Sequence, residues 1–156
     1  SLPDSASPGS FSFSQTLAAF FRCDGLAFSS VLDAALIENT FRRHHCLFGR
    51  TYTTAIVLWA FMSQVLRDGK EASCQSAVGR ISSYLALNGA GDVDPDTRDY
   101  CRARAKLSEE ALHELTSEIA TQAEQEVAPE QLFKGRHAKL IDGSTFMMPD
   151  WRDSPP

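Results

Sequence analysis

The sequence predicts a mainly α-helical domain with a short β element near its C-terminal end. Between residues 29 and 127, apolar residues recur at helical spacing, and Ser, Thr, Asp, Gly and Pro residues bound each segment. After Gly135 the stretch HAKLIDGSTFMMP is short, apolar and interrupted by turn residues, which is typical of a strand, a turn and a second strand. The predicted secondary structure therefore changes from helix to strand only near the end of the sequence.

Composition limits the function classes. The chain has 156 residues, 43% of them hydrophobic and 22% charged, as expected for one globular domain. The net charge of −5 argues against attraction of nucleic acid to the whole surface, so any such binding must come from local basic patches. The longest apolar run, residues 55–62, is too short for a bilayer and suits a buried helix. No signal-peptide pattern is visible, so a cytoplasmic protein without membrane contact is expected.

The cysteines predict neither a zinc site nor a redox motif. They are widely spaced along the chain, at Cys23, Cys46, Cys74 and Cys101, without the close pairs of such sites. Reduced, half-buried thiols are expected. His44-His45-Cys46 does not predict a metal site, because adjacent helical residues point about 100° apart.

The first two helices follow a loose Ser/Pro/Gly-rich segment, residues 1–14. Ser29-Ser30 is expected to cap a helix that runs to about His45. The apolar face of this helix would comprise Phe28, Val31, Leu32, Ala35 and Leu36. A second helix is predicted over residues 55–66, after the threonines at 51, 53 and 54, with Gly69 as its stop signal.

Three further helices are predicted before Pro129. Ser73 opens one that the Gly89-Ala90-Gly91 stretch ends, with a buried stripe of Ala77, Val78, Ile81, Tyr84 and Leu85. Asp94, before Pro95, is expected to cap a short helix that reaches about Lys106. Ser108 would cap the last, to about Val127, with Leu107 packing onto Leu112.

The helix before Lys106 carries a basic stripe. Arg98, Arg102 and Lys106 are spaced i, i+4, i+8, and with Arg104 against Asp99 the local charge is +4 − 1 = +3. The stripe favours a helix that contacts phosphates, and the order of helices resembles a helix-turn-helix with a long connection. The alternative is an ordinary solvated helix face. Two other basic segments, FRRHHCLFGR and KGRHAK, favour a polyanionic partner if charge is segregated by face.

The opposite side of this helix is apolar, since Tyr100, Ala103 and Leu107 share it.

The following helix is acidic: seven glutamates and no Lys or Arg occupy residues 109–130. A solvated acidic face is expected there. The acidity also leaves open a stand-alone helical interaction module without a nucleic-acid role.

Asp142 follows the apolar segment that ends in Leu140-Ile141. Enzymes that use divalent metals often place carboxylates at strand ends, where the sheet holds them rigidly. One aspartate cannot hold two metal ions, and Asp-Gly is also an ordinary hairpin turn. Both interpretations stay open on the residues alone.

The segment KGRHAKLIDGSTFMMPD resembles the start of the catalytic domain of bacterial DDE transposases of the insertion-sequence-four type. VLWAFMSQVL, SCQSAVGRI and YCRARAKLSEEAL resemble the helical N-terminal region of that group, so the resemblance covers roughly residues 31–150. It implies that residues 15–133 form a DNA-binding helical region and that residues 134–156 begin a ribonuclease-H-like domain. Asp142 matches the first catalytic carboxylate, a ligand of Mg²⁺ in the family.

The resemblance implies a partner and a reaction. The partner is DNA at transposon ends, with self-association in the full-length family, and the reaction is phosphodiester hydrolysis and strand transfer. DNA contacts are expected from Arg98, Arg102, Arg104, Lys106, Lys134 and Arg136. The other two carboxylates of the family have no position in this sequence, because WRDSPP follows Asp150. A truncated, catalytically incomplete transposase fragment that binds no metal stably is therefore expected, or else a non-functional remnant of a decayed element.

Overall fold

The computed structural model describes residues 25–91, 93–128 and 134–136, with residues 20, 22 and 132. These residues include five α-helices: α1 (Ala34–Arg43), α2 (Thr54–Val65), α3 (Cys74–Leu87), α4 (Thr97–Arg104) and α5 (Glu109–Glu126). Short 3₁₀ turns at Ala27–Ser30 and Gly69–Ala72 precede α1 and α3. The predicted mainly helical fold is confirmed for this part of the chain, which contains no β-strand. The predicted strand and turn around Asp142 lie outside the described residues.

The chain divides into two compact units, Ser1–Glu118 and Ile119–Pro156. The core described below belongs to the first unit. The predicted division of the chain after residue 133 stays a prediction.

Helix α2 forms the centre of the core. Its sequence is apolar nearly all round, and it packs against α1, α3, α4 and both 3₁₀ turns. Trp59 is 4% exposed, and its indole N–H donates to the Leu32 carbonyl at 3.0 Å, so its one polar group is satisfied. The Tyr84 ring meets the Trp59 ring edge-on, with centroids 5.8 Å apart. The apolar run at residues 55–62 is thus a buried helix, as predicted.

Local capping signals explain where most helices begin. The Ser73 hydroxyl accepts from the Ser76 N–H at 3.2 Å, and the Ser108 hydroxyl accepts from the Ala111 N–H at 3.3 Å. Both predicted caps are confirmed. The predicted stripe of α3 is buried at Ala77, Val78, Ile81 and Leu85, and Tyr84 packs against it while partly exposed.

Two predicted helix starts were wrong. Asp33 caps α1 by accepting from the Leu36 N–H at 3.3 Å, because Ser29 and Ser30 instead donate to carbonyls of the preceding 3₁₀ turn. Asp96 caps α4 by accepting from the Arg98 N–H at 2.9 Å, while Asp94 accepts from the Asp96 N–H. The Asp94 carboxylate therefore orders the turn before the helix.

The predicted apolar face of the first helix is confirmed in part, since Leu32 is buried and Phe28 and Leu36 pack against the core. Ile37, Thr40 and Phe41 are fully buried, whereas Val31 is 67% exposed and Ala35 is exposed. The prediction extended one helical register through residues 28–36, but the 3₁₀ turn and the Asp33 cap interrupt that register. The i, i+4 pair Ile37 and Phe41 inside the true helix supplies the core contact.

Among the described helices, none combines the length and the apolar composition that a bilayer-spanning segment needs.

Candidate nucleic-acid interface

A groove of about 580 Å³ lies between α4 and the loop that precedes α2. We call it the basic groove, because Arg50, Arg102 and Lys106 line it. Asp94 and Asp99 also line it, so its charged side chains sum to +3 − 2 = +1. The remaining lining residues are Phe48, Gly49, Thr51, Tyr52, Val93 and Ala103. A chain of net charge −5 thus carries a local surface of opposite sign.

The loop that carries Arg50 is fixed by two local features. The buried Thr54 hydroxyl, at the start of α2, accepts from the Phe48 N–H and donates to the Phe48 carbonyl, both at 3.1 Å. Gly49 has a φ of +95°, and a Cβ there would lie 1.9 Å from the Tyr52 carbonyl oxygen. Arg50 therefore projects from a turn that is held from both sides, rather than from a loose loop.

Tyr52 closes the inner side of the groove. Its ring lies 6.5 Å from the Tyr100 ring, centroid to centroid, and its buried hydroxyl has no hydrogen-bond partner among the described residues. Burial, together with Asp99 and Asp94, raises the pKa of Tyr52, so the phenol is neutral at physiological pH. Tyr52 therefore contributes a neutral aromatic wall, with its hydroxyl buried, to the groove.

The predicted basic stripe of α4 is exposed on its outer face. Arg102 is 75% exposed, and its guanidinium lies 3.8 Å from the similarly exposed Asp99 carboxylate, a weak surface ion pair. Lys106 lies just beyond the end of α4, with its ammonium 5.9 Å from the centre of the Phe48 ring. Both side chains are free to contact a polyanion.

Arg98 is more strongly engaged. Its guanidinium lies 2.6 Å from the Asp96 carboxylate, and this hydrogen bond lowers the pKa of Asp96. Arg98 is 78% exposed but does not line the basic groove. The Asp96 carboxylate that caps α4 thus also partly neutralises the first residue of the predicted stripe.

Arg104 does not share the exposed face of the stripe. It is half-buried, donates to the Gln64 side-chain oxygen at 3.1 Å, and lies over the rings of Phe61 and Tyr100 at about 6 Å. The predicted inward side of α4 is confirmed, since Tyr100 and Ala103 are buried and Leu107 packs against the core. The structure therefore separates Arg104 from Arg102 and Lys106.

Lys134 and Arg136 belong to the second unit and are exposed. Lys134 adopts a left-handed backbone conformation with a φ of 52°, next to Gly135 with a φ of 74°. Asp142 lies outside the described residues. The DNA contacts predicted for Lys134 and Arg136 and the catalytic role predicted for Asp142 stay predictions.

The basic segment at the end of α1 is largely paired within the first unit. Arg43 contacts Glu114 at 2.7 Å and Glu118 at 2.6 Å, and His44 also contacts Glu114. These hydrogen bonds lower the pKa of Glu114, the bond from His44 contributing most and that from Arg43 next. The acidic helix α5 is thus an ion-pairing partner of α1 at these positions, rather than a purely solvated face.

The described residues contain no group of three or more His, Cys, Asp or Glu side chains placed to hold a metal ion. The Mg²⁺ that the resemblance implies has no ligand set in this part of the protein, and we assign no chemistry to a metal here.

Arg50 is the groove residue that sequence reasoning did not select. It lies in the basic segment FRRHHCLFGR, but 52 positions separate it from Arg102 along the sequence. The local signal was Gly49-Arg50 in a loop between two helices, which indicates a surface turn. Only the packing of α2 against α4 brings that turn beside Arg102 and Lys106.

The chain matches no protein-family model, and neither a curated protein nor a solved structure shows detectable similarity to it.

Proposed function

We propose that this chain binds DNA through the basic groove, as the N-terminal part of a DDE transposase acting in DNA transposition. The observation that supports DNA binding is the clustering of Arg50, Arg102 and Lys106 on one exposed surface. Two different segments supply these cations, so the cluster is a product of the fold and not of one helix alone.

The groove is suited to a phosphate backbone. Arg50 and Arg102 can each form paired hydrogen bonds to phosphate oxygens, and Lys106 can act as a point charge beside them. Each phosphate that a basic residue neutralises releases bound counterions, which drives association at low salt. Asp94 and Asp99 at the same wall repel phosphates and confine the attraction to the positions of the three cations.

The basic groove is poorly suited to reading base sequence. The basic groove offers few uncharged hydrogen-bonding side chains, whereas sequence is read by groups that reach base edges. We therefore expect modest affinity and weak sequence preference from the first unit alone.

The transposition part of the proposal rests on the resemblance of KGRHAKLIDGSTFMMPD and the upstream helical segments to insertion-sequence transposases. On that basis the DNA is the end of a mobile element, and Asp142 is the first carboxylate of a magnesium-dependent site. Lys134 and Arg136, eight and six residues before Asp142, would contact the same DNA.

The test is a binding titration of a fluorescently labelled DNA duplex at low salt. Arg102→Ala is expected to weaken binding to every duplex by a similar factor, roughly 3- to 10-fold, because a phosphate contact carries no sequence information. The matched control is Arg42→Ala, which removes one exposed arginine from the end of α1, outside the basic groove.

Equal binding by wild-type protein and Arg102→Ala would contradict the assignment of the groove. No binding by wild-type protein at low salt would contradict DNA binding altogether and favour a helical protein-interaction module. Preference for element-end DNA over an unrelated duplex would support the transposition role separately from the groove.

A further inference from the structure

Cys74 and Cys101 form a thiol pair that the linear sequence does not reveal. Cys74 is the first residue of α3, Cys101 lies in the middle of α4, and the Sγ atoms are 3.6 Å apart. The Cys101 thiol donates to the Cys74 sulfur. Both residues are partly exposed to solvent.

The surroundings distinguish the two sulfurs. Gln64 donates to the Cys74 sulfur at 3.6 Å, and the Arg104 guanidinium lies 3.8 Å from it. Burial opposes ionisation of Cys74, but the hydrogen bonds from Cys101 and Gln64 and the charge of Arg104 outweigh it and lower the pKa of Cys74. Burial and the bond to Cys74 raise the pKa of Cys101. Cys74 is therefore the better thiolate and Cys101 the better proton-bearing partner.

The fold leaves room beside Cys101, the thiol of the pair that lines a cavity. A cavity of about 530 Å³ is lined by Cys101, Arg104 and Phe61, with Ala105, Leu107 and Leu112 completing its wall. This volume exceeds the need of a small peroxide. Arg104 therefore contacts the Cys74 sulfur while bordering the space next to Cys101.

We propose that Cys74 and Cys101 are a redox modification site that closes to an intramolecular disulfide when a hydroperoxide oxidises it. The Cys74 thiolate attacks one peroxide oxygen, the O–O bond breaks, and a sulfenic acid forms as the released hydroxide takes a proton and leaves as water. The Cys101 sulfur then loses its proton and attacks the Cys74 sulfur, and the second oxygen leaves as water. Two thiols are oxidised by two electrons, and one hydrogen peroxide is reduced to two waters.

A disulfide has an S–S distance of about 2.05 Å, so the two sulfurs, 3.6 Å apart, must approach by roughly 1.5 Å for the bond to form. Closure ties the start of α3 to the middle of α4 and removes the thiolate that Arg104 faces. A dithiol reductant reverses it by thiol–disulfide exchange. Formation and reduction of the disulfide do not depend on DNA binding.

The test is treatment of the folded full chain with hydrogen peroxide, followed by alkylation, intact mass and peptide mapping. The expected product has lost two hydrogen atoms and two alkylatable thiols, and it yields one linked peptide that joins Cys74 to Cys101. Dithiothreitol restores both thiols. Cys46→Ser is the control that retains the crosslink, because the Cys46 thiol bonds instead to the Phe41 carbonyl at 3.4 Å.

Cys101→Ser should accumulate a Cys74 sulfenic acid that dimedone traps, since the resolving thiol is gone. A thermal melt of each variant confirms that it is folded under the assay conditions. Oxidation of Cys74 to sulfinic acid without a crosslink in wild-type protein would overturn the proposal. So would oxidation of Cys46 before the pair, or a linkage that involves a different cysteine.

Discussion

Gly49 holds the loop before α2 in a backbone conformation that other residues adopt at a cost. Its φ is +95°, and an added Cβ would lie 1.9 Å from the Tyr52 carbonyl oxygen. Gly49→Ala is expected to lower the free energy of unfolding by roughly 2–4 kcal/mol, from backbone strain plus displacement of the loop. Chemical denaturation measures the change.

Gly89→Ala is the matched control for Gly49→Ala. Gly89 also has a positive φ, +71°, but nothing lies within 4 Å of the added Cβ. Gly89→Ala is expected to lower the free energy of unfolding by only about 1 kcal/mol, because backbone strain is its only cost. A loss at Gly49 no larger than that at Gly89 would show that the loop relaxes and that Arg50 is not held in place.

At the scale of the element, the Ser73 cap of α3 is a feature that the sequence predicted correctly. Ser73→Ala removes the hydroxyl that accepts from the Ser76 N–H and should lower the free energy of unfolding by about 1 kcal/mol. Ser83→Ala, on the exposed middle of α3, should leave stability unchanged or raise it slightly, because alanine favours helix interiors. Equal losses from the two variants would mean that the Ser73 cap contributes nothing specific.

The contact between α1 and α5 predicts acid sensitivity. Hydrogen bonds from His44 and Arg43 lower the pKa of Glu114 from its usual 4.5. A carboxylate with a lowered pKa contributes its stability above the unfolded pKa and loses it as the pH falls through the folded pKa. The free energy of unfolding should therefore decline as the pH drops below 4.5, and by less in Glu114→Gln.

Glu126→Gln is the control for that pH dependence, because Glu126 lies at the exposed C-terminal end of α5, twelve positions from Glu114. It should keep the wild-type slope of stability against pH. Asp96, whose pKa the Arg98 hydrogen bond also lowers, contributes acid sensitivity in both variants. An unchanged slope in Glu114→Gln would contradict the role of the α1–α5 contact.

Within each helix, local patterns predicted structure well where their signals did not compete. In α3 the Ser73 cap and the buried stripe agree, and both are confirmed. At α4 two aspartates compete, and Asp96 caps the helix because the Asp94 carboxylate binds the Asp96 N–H instead. Composition alone cannot rank two such candidates when both precede the same helix.

At the scale of the whole molecule, the missed features are those that depend on which helices meet. Arg43 and Glu114 are 71 residues apart, and Cys74 and Cys101 are 27 apart. No periodicity within one segment encodes such contacts. The same limit explains why the predicted basic stripe of Arg98, Arg102 and Lys106 did not include Arg50. Arg104, also predicted to contact DNA, instead donates to Gln64.

The basic groove is a property of the whole fold, so its most direct test removes all three of its cations together. In a plot of log K for DNA binding against log salt concentration, the slope steepens by about 0.9 for each phosphate that the protein neutralises. The slope therefore counts the phosphate contacts. The groove predicts a wild-type slope that is steeper by about 2 to 3 than that of the Arg50→Ala/Arg102→Ala/Lys106→Ala variant. Identical slopes for the two folded proteins would contradict DNA binding through the groove.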